Sequence, residues 1–331
     1  MPKVLSINGT LLFPPARKTI VAAAGLIRRG GLVAFPTETV YGLGADATAG
    51  RAVARIFEAK GRPPGKPLIV HVADPGQVRQ VTASLPGEAL ELMHRFWPGP
   101  LSLVLPRSAE LPPEVSAGLS TVAVRMPAHP VALGLIRAAG VPLAAPSANR
   151  SGRLSPTEAR HVLEELAGRI EAVLDGGPCT VGVESTVLDL SGARPLILRS
   201  GAITRTQLEK ALGTEIGCAV KGAGGALSVA PGLHCHRSFL RTPLILVTGP
   251  RKRRRALLGA LTAGYRRRGF RVVVLPAPPG GRLLAGALFA SLRRLDRGAL
   301  DLILAEGFSP RGVGETVLHR LRQAAVRIIK A

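Results

Sequence analysis

The sequence predicts an α/β protein of two domains, and three observations carry that expectation. Short apolar runs alternate with amphipathic segments of helical period along most of the 331 residues. The alternation stops once, over residues 213–242, where Gly222-Ala223-Gly224-Gly225 and Pro231-Gly232 stand among polar residues without a period. Hydrophobic residues make up 46% of the chain, enough to support a compact core. The expected organisation is a first domain at 10–212, a linker at 213–242 and a second domain at 243–331.

In the first domain, residues 32–35 predict a strand ended by Pro36, 51–60 a helix with Val53, Ile56 and Phe57 on one face, and 67–72 a strand. Residues 88–97 predict a helix stopped by Pro98-Gly99-Pro100, 101–105 and 122–126 strands, and 131–139 a helix closed by Gly140. A short strand at 142–145 runs into Pro146-Ser147-Ala148-Asn149. Ser155 is expected to cap a helix reaching residue 166, with Pro156 at its first position and Glu158 completing a capping box. Strands follow at 172–174, 186–190 and 196–198, then a helix at 204–212. The second domain reads as strand 244–247, a very basic helix 252–267, strand 272–275, helix 283–295, strand 302–305 and helix 315–324. Such alternation implies a parallel sheet with right-handed crossovers. Thr248-Gly249-Pro250, at its first strand-to-helix turn, has neither the glycine spacing of a dinucleotide fingerprint nor the lysine of a P-loop.

Several classes are disfavoured by composition. No apolar run approaches the roughly 18–20 residues of a membrane span. The first residues lack the basic end, apolar centre and cleavage site of a secretory leader. A cytoplasmic location without membrane contact is expected. Cys179, Cys218 and Cys235 do not suggest a disulfide framework, and His234-Cys235-His236 is too contiguous for three side chains to enclose one ion, so no resident metal is expected. The formal charge of +23 is uneven: 19 Lys/Arg face 4 Asp/Glu from Arg241 onward, against 25 and 17 before it. A basic C-terminal third suits nucleic acid or another polyanion. A general bias toward arginine explains it equally well.

Four segments have the chemistry of a site, and each also has a plain structural reading. Residues 35–44 follow a strand end, where open α/β sheets place ligands, and offer two glycines and three hydroxyls; a turn with local hydrogen bonds would look the same. Lys60-Gly61-Arg62 at a helix end could clamp a triphosphate, a point charge beside a fork. A helix C-terminus also welcomes cations through its dipole. Ser147 and Asn149, two apart on extended chain, point the same way and could hold phosphate or ribose, or cap the next turn. Finally, Glu184-Ser185-Thr186 precedes Arg199, which ends an apolar strand as Arg125 does. A charge there needs a partner, unless its stem only covers apolar surface.

Together these segments resemble a known set. Residues 10–212 resemble the YrdC-like family, and the whole chain resembles its two-domain members. The resemblance rests on an ordered series: Pro36-Thr37-Glu38-Thr39-Val40-Tyr41-Gly42-Leu43-Gly44, Phe57-Glu58-Ala59-Lys60-Gly61-Arg62-Pro63, Pro67-Leu68-Ile69-Val70-His71, Trp97-Pro98-Gly99-Pro100-Leu101-Ser102, Val124-Arg125-Met126-Pro127, Ala145-Pro146-Ser147-Ala148-Asn149-Arg150-Ser151-Gly152 and Ser185-Thr186-Val187. The family hallmark, Lys-x-Arg followed by Ser-x-Asn, stands here as Lys60, Arg62, Ser147 and Asn149.

The resemblance implies a twisted mixed sheet followed by a smaller Rossmann-like parallel domain. It implies an enzyme that joins L-threonine, bicarbonate and ATP into threonylcarbamoyl-AMP and pyrophosphate. A partner transferase would then carry the threonylcarbamoyl group to an adenosine beside the anticodon of tRNA. ATP, with Mg2+, would be a substrate rather than a tightly bound cofactor. By position in the motifs, Lys60 and Arg62 would be catalytic. Those two, Pro64, Thr121, Ser147, Asn149, Ser155, Arg199 and Arg237 would bind ATP, and Thr37, His71, Arg125, Ala145 and Ser185 would bind threonine. His71 could otherwise be a packed strand histidine. The linker departs from the family: the tyrosines of its Pro-Gly-Met-x-Tyr-Arg-His-Tyr-x-Pro stretch are absent from Pro231-Gly232-Leu233-His234-Cys235-His236-Arg237-Ser238-Phe239-Leu240. Contact with tRNA or double-stranded RNA is a further expectation, and the alternative to catalysis is a maturation factor that holds RNA on a basic concave surface. Aromatics, 3% of the chain, leave few stacking platforms for that role.

Overall fold

Alternation in the strand after Gly31 sends Leu32 and Ala34 into one core, and Val33 and Phe35 into another on the opposite face. That division organises the larger part of the computed structural model, which describes residues 4–219, 240–277, 283–308 and 313–331. The chain falls into two compact units, Met1–Ser151 with Ser155–His234, and Gly152–Leu154 with Cys235–Ala331.

The first unit contains β1 (Leu5–Ile7), β2 (Thr10–Phe13), β3 (Val33–Phe35), β4 (Gly42–Asp46), β5 (Ile69–His71), β6 (Leu101–Pro106), β7 (Thr121–Arg125), β8 (Leu143–Ala144), β9 (Ala172–Leu174), β10 (Thr186–Asp189), β11 (Leu196–Arg199) and β12 (Gly217–Cys218). They form one mixed sheet in the order β1-β2-β9-β3-β4-β8-β5-β7-β6-β10-β11-β12. Its helices are α1 (Arg17–Arg28), α2 (Gly50–Lys60), α3 (Pro75–Val81), α4 (Gly87–Phe96), α5 (Pro113–Ser116), α6 (Pro130–Ala139), α7 (Ala159–Leu166) and α8 (Arg205–Leu212). Helices α1 and α6 cover one face through Ala23, Ile27, Leu135 and Ile136. Helices α2 and α7 cover the other through Val53, Ile56, Val162 and Leu166. A third cluster joins α4 and α8 to Leu101, Leu103 and Leu105 of β6.

The second unit holds β13 (Leu244–Thr248), α9 (Arg251–Arg267), β14 (Val272–Leu275), α10 (Leu283–Arg297), β15 (Leu302–Glu306), α11 (Val313–Ala324) and β16 (Arg327–Lys330). All of its strand pairs are parallel, in the order β14-β15-β13-β16, as the Rossmann-like expectation requires.

The structure departs from the sequence reading in four places. Residues 155–158 are not helical; α7 begins at Ala159 and Ser155 caps nothing. The carbonyls a first turn would use are taken from afar, Pro156 O by the Tyr41 amide at 2.8 Å and Thr157 O by the Cys179 amide at 2.9 Å. The glycine-rich end of the 35–44 segment is strand β4, paired antiparallel with β3. A Cβ at Gly44 would lie 2.8 Å from the Phe35 ring, so a residue type that suggests a loop serves close packing. Residues 213–219, read as the start of a linker, include a buried Ile216 and the edge strand β12, parallel to β11. Lastly, β1, β2, α1, α3, α5 and β16 had no clear signal in the sequence.

Candidate functional site

Helix α2 ends where its sequence says it must. Gly61 takes the left-handed conformation (φ 57°), and the Gly61 and Arg62 amides close onto Glu58 O and Phe57 O. Pro63 and Pro64 then forbid another turn. The last helical residue, Lys60, is 3% exposed. Its ammonium does not cap its own helix. It donates to Ser147 O and, at 2.5 Å, to Asn149 O, 87 and 89 residues away. The chain bends between them, the Asn149 amide bonding back to Ser147 O at 3.0 Å, and both carbonyls accept from one ammonium. Burial first, then the charge of Arg62, push Lys60 down to about 7, with Glu165 opposing them.

Arg62 lies half-buried over the Phe57 ring and donates from Nη2 to Lys66 O and Pro67 O, both at 3.3 Å. Its buried Nε has no hydrogen-bond partner among the described residues, a donor that an anion would satisfy. Burial lowers Arg62 to about 10. Ser147 also bridges Gly42 at the start of β4, while the Leu43 amide donates to Pro146 O and the Ala148 amide to Tyr41 O. The Lys-Gly-Arg segment, the Ser-Ala-Asn segment and the loop entering β4 thus share one hydrogen-bonded junction.

That loop also carries a second cluster. Thr37 Oγ1 donates to Val40 O at 2.6 Å and accepts the Thr39 and Val40 amides, the local turn anticipated as the plain reading. Thr39 Oγ1 accepts from Arg125 Nη1 at 2.9 Å, and Arg125 Nε donates to Gly99 O at 3.1 Å. Arg125 Nη2 lies 2.7 Å from Glu38 Oε1, with both side chains almost wholly buried (4% and 7% exposed). The other Glu38 oxygen accepts the Ala128 amide at 3.0 Å. Arg125 is therefore no surface arginine; it is held from three sides. His71, aligned with Arg125 across β5 and β7, is buried, and burial with the Arg125 charge lowers it to about 3. A neutral His71 packs edge-on against Phe35 with Nδ1 3.3 Å from Ile69 O.

A third cluster sits at the adjoining strand ends. Arg199 donates from Nε to Ser185 O and from Nη2 to Ser185 Oγ, both at 3.0 Å, and Ser185 Oγ lies 2.8 Å from Ser102 Oγ. A Cβ on Gly201 would lie 2.2 Å from the Thr186 amide nitrogen, so this backbone can pass only with glycine there. Ser155 Oγ donates to Glu184 Oε1 at 2.8 Å, and the Val181 amide reaches back to Glu38 O.

Lys60, Ser147, Asn149, Thr37, Arg125 and His71 are thus linked around one loop, with Arg62 two residues beyond Lys60. Ser155 with Glu184 and Ser185 with Arg199 are pairs of a neighbouring region that meets the loop through Val181 and Pro156. Ala145 is buried beside them, its amide on Ile69 O, while Pro64 is exposed in the turn after Arg62. Thr121 opens β7 opposite Pro106, at the far end of the strand from Arg125, and is not joined to them. Arg237 and His236 lie outside the described residues. Sequence reasoning gave Glu38, Thr39 and Ser102 no role of their own, although each stands in a quoted motif. Their signal was polarity: a carboxylate between two threonines, and a hydroxyl inside the apolar run of β6. Cys179 is buried and its thiol is pushed up to about 12, chiefly by burial, which makes it a poor nucleophile.

Known proteins resemble this chain along most of its length. Residues 25–201 match the Sua5/YciO/YrdC family model, described as telomere recombination. Residues 203–326 match the model described as the threonylcarbamoyl-AMP synthase C-terminal domain. The chain is 47% identical over 321 residues to the threonylcarbamoyl-AMP synthase of Pyrococcus abyssi, covering 93% of this chain and 94% of the relative. It is 44% identical over 322 residues to that of Bacillus subtilis, covering 92% of each. The crystal structure of P. abyssi Sua5 complexed with L-threonine superposes with a TM-score of 0.93 at 44% identity, covering 97% of this chain and all of that one. Escherichia coli YciO, at 23% identity and a TM-score of 0.53, covers 58% of this chain and 96% of its own, and shares the fold of the first unit. The chain belongs to the threonylcarbamoyl-AMP synthase family.

Proposed function

We propose that the three clusters form the pocket in which L-threonine, bicarbonate and ATP become threonylcarbamoyl-AMP, pyrophosphate and water, the water released as bicarbonate carboxylates the threonine amine. The carbamate oxygen of N-carboxy-threonine attacks the α-phosphorus, the new P–O bond forms as the α–β bridge breaks, and pyrophosphate leaves with the electron pair. Negative charge grows on phosphate oxygens, so fixed cations and neutral donors lower the barrier when they are stronger there than in the ground state. Lys60 and Arg62 are assigned to the triphosphate, with Ser147, Asn149, Ser155 and Arg199 beside it.

The observation that carries this reading is Lys60 held on Ser147 O and Asn149 O. It brings the two halves of the hallmark to one point, and its third N–H remains for a phosphate. Arg62 Nε, buried without a partner, supports the same assignment.

Arg125 is assigned to the threonine carboxylate, with Thr37, Ser185 and a neutral His71 lining the amino-acid side. Glu38 already offsets the Arg125 charge, so the pair attracts threonine through fixed N–H groups rather than free charge. Glu38 is a positioning residue: it, Thr39 and Gly99 lock the fork in one orientation.

Mg2+ arrives with the triphosphate as part of the substrate, since magnesium keeps several waters and binds through phosphates with one or two carboxylates. No three His, Cys, Asp or Glu among the described residues converge as a resident site. The product passes to a transferase acting on tRNA, and the reaction belongs in the cytoplasm where tRNA is modified. The test is pyrophosphate release from ATP that depends on both threonine and bicarbonate. Lys60→Ala is expected to lower it about 1,000-fold, about 4 kcal/mol of transition-state stabilisation, while circular dichroism stays unchanged. Near-normal turnover in that variant would remove the clamp.

A further inference from the structure

Helix α9 is built against its own electrostatics. Its first turn carries Arg251, Lys252 and Arg253 with no acid, where the helix dipole favours anions. Arg251 and Arg255 also stand four apart, a repulsive spacing. No Asp or Glu occurs between Arg251 and Leu295. Glu306 is the acid that pairs with this helix among the described residues, and it is taken by Arg254 (3.1 Å) and Arg255 (3.5 Å); Asp301, beyond its C-terminal end, is taken by Arg271. Arg251, Lys252, Arg253 and Arg267 are exposed and make no ion pair among the described residues.

Between the two basic ends, the exposed positions are Ala256, Gly259, Ala260 and Ala263. Small side chains let a polymer backbone approach closely and offer nothing to insert into a bilayer. From Arg253 to Arg267 the helix rises about 21 Å, long enough to lie along several successive phosphates of one strand. At the C-terminal end Phe270 is 39% exposed, with Tyr265 edge-on at 5.6 Å. The Arg268 guanidinium sits over both rings, at 5.7 and 5.5 Å. An exposed ring beside an arginine, next to a row of cations, suits an unstacked base at the end of a phosphate track.

We infer that the exposed face of α9 is an RNA-docking surface, its arginines following the phosphates and Phe270 with Arg268 receiving one unpaired base. The surface belongs to the second unit and the residues assigned to synthesis to the first, so it can be altered without changing any of them.

The test uses the full chain and a fluorescent RNA stem-loop, with binding followed by anisotropy over a range of salt. Pyrophosphate release without RNA reports the fold and is expected to be unchanged in every variant. The charge reversal R251E/K252E/R253E should weaken binding more than tenfold and reduce the slope of log affinity against log salt by about 2, at roughly 0.7 per lost phosphate contact. F270A should weaken the stem-loop severalfold, leave a fully paired duplex unaffected and leave the salt slope unchanged. If the triple variant loses synthesis, R253E and R267E, each altering one exposed side chain, take its place. Affinity and slope like the unmodified chain in the reversed variants would overturn the inference. So would binding to phosphatidylserine vesicles with none to RNA, which would make the face a membrane contact.

Discussion

Two arginine–glutamate pairs, one in each unit, look alike and do different work. Arg125–Glu38 and Arg254–Glu306 are both buried, at 2.7 and 3.1 Å. Around Arg125 the remaining partners are a threonine hydroxyl and a loop carbonyl, beside His71 and Thr37. Around Glu306 they are loop amide and carbonyl groups: Ala277 N donates to Glu306 Oε2 and Arg254 donates to Gly249 O. The second pair ties the loops after β13 and β14 to the end of β15. The first leaves hydroxyls and guanidinium N–H groups beside a neutral imidazole. Burial of a charge pair therefore does not identify a site; what the pair's free hydrogen-bonding capacity faces does.

Removing one partner tests this most severely. Glu306→Ala leaves Arg254 buried without its counter-charge and is expected to cost about 3–5 kcal/mol. Urea unfolding read by hydrogen exchange in β13 and β15 should show that loss, with the KM for threonine unchanged. A rise in KM would erase the distinction between the two pairs.

Arg125→Lys keeps the charge and discards the fork, so the KM for threonine should rise about 100-fold, near 3 kcal/mol, with kcat changing little. Glu38→Gln keeps a partner for the Ala128 amide but frees Arg125 to turn. A rise in threonine KM of about tenfold is expected, and Glu38→Asp should recover part of it; a change in stability alone would make Glu38 structural, like Glu306.

The smallest effect separates the phosphate side from both pairs. Lys60 in the free protein loses its proton as pH rises through about 7. A triphosphate would restore it, so ATP binding should take up close to one proton at pH 8 and almost none at pH 5.5. Calorimetry in buffers of different ionisation enthalpy measures this, and Lys60→Arg should abolish it. In the apo fold the same lowered value means that the unfolded chain binds more protons between pH 7 and the ordinary lysine value near 10.5, so this group makes folding more favourable as pH rises across that window.

Much of the fold was legible because its causes are local. Gly61 and Gly140 end their helices in the left-handed conformation, and the strand–helix alternation of the second unit predicted its parallel sheet. The misreadings came where distant chain overruled local chemistry. Ser155-Pro156-Thr157-Glu158 has every mark of a helix start, yet its carbonyls go to Tyr41 and Cys179. Gly42 and Gly44 resemble loop residues, yet they form a strand because the Phe35 ring packs against them. Glu38 was given no role because nothing adjacent in sequence says that Arg125 lies beside it.

The sequence alone determined the residue types of the site, their order and the α/β class, since motifs, periodicity and breakers act over a few residues. Only tertiary structure decided that Lys60 reaches Ser147 and Asn149, that Arg125 is neutralised by Glu38, and that Arg254 of α9 is buried on Glu306 while Arg251, Lys252 and Arg253 are exposed. Those outcomes depend on which buried groups find partners 50 to 90 residues away. Desolvation makes such pairing obligatory, and no local rule names the partner.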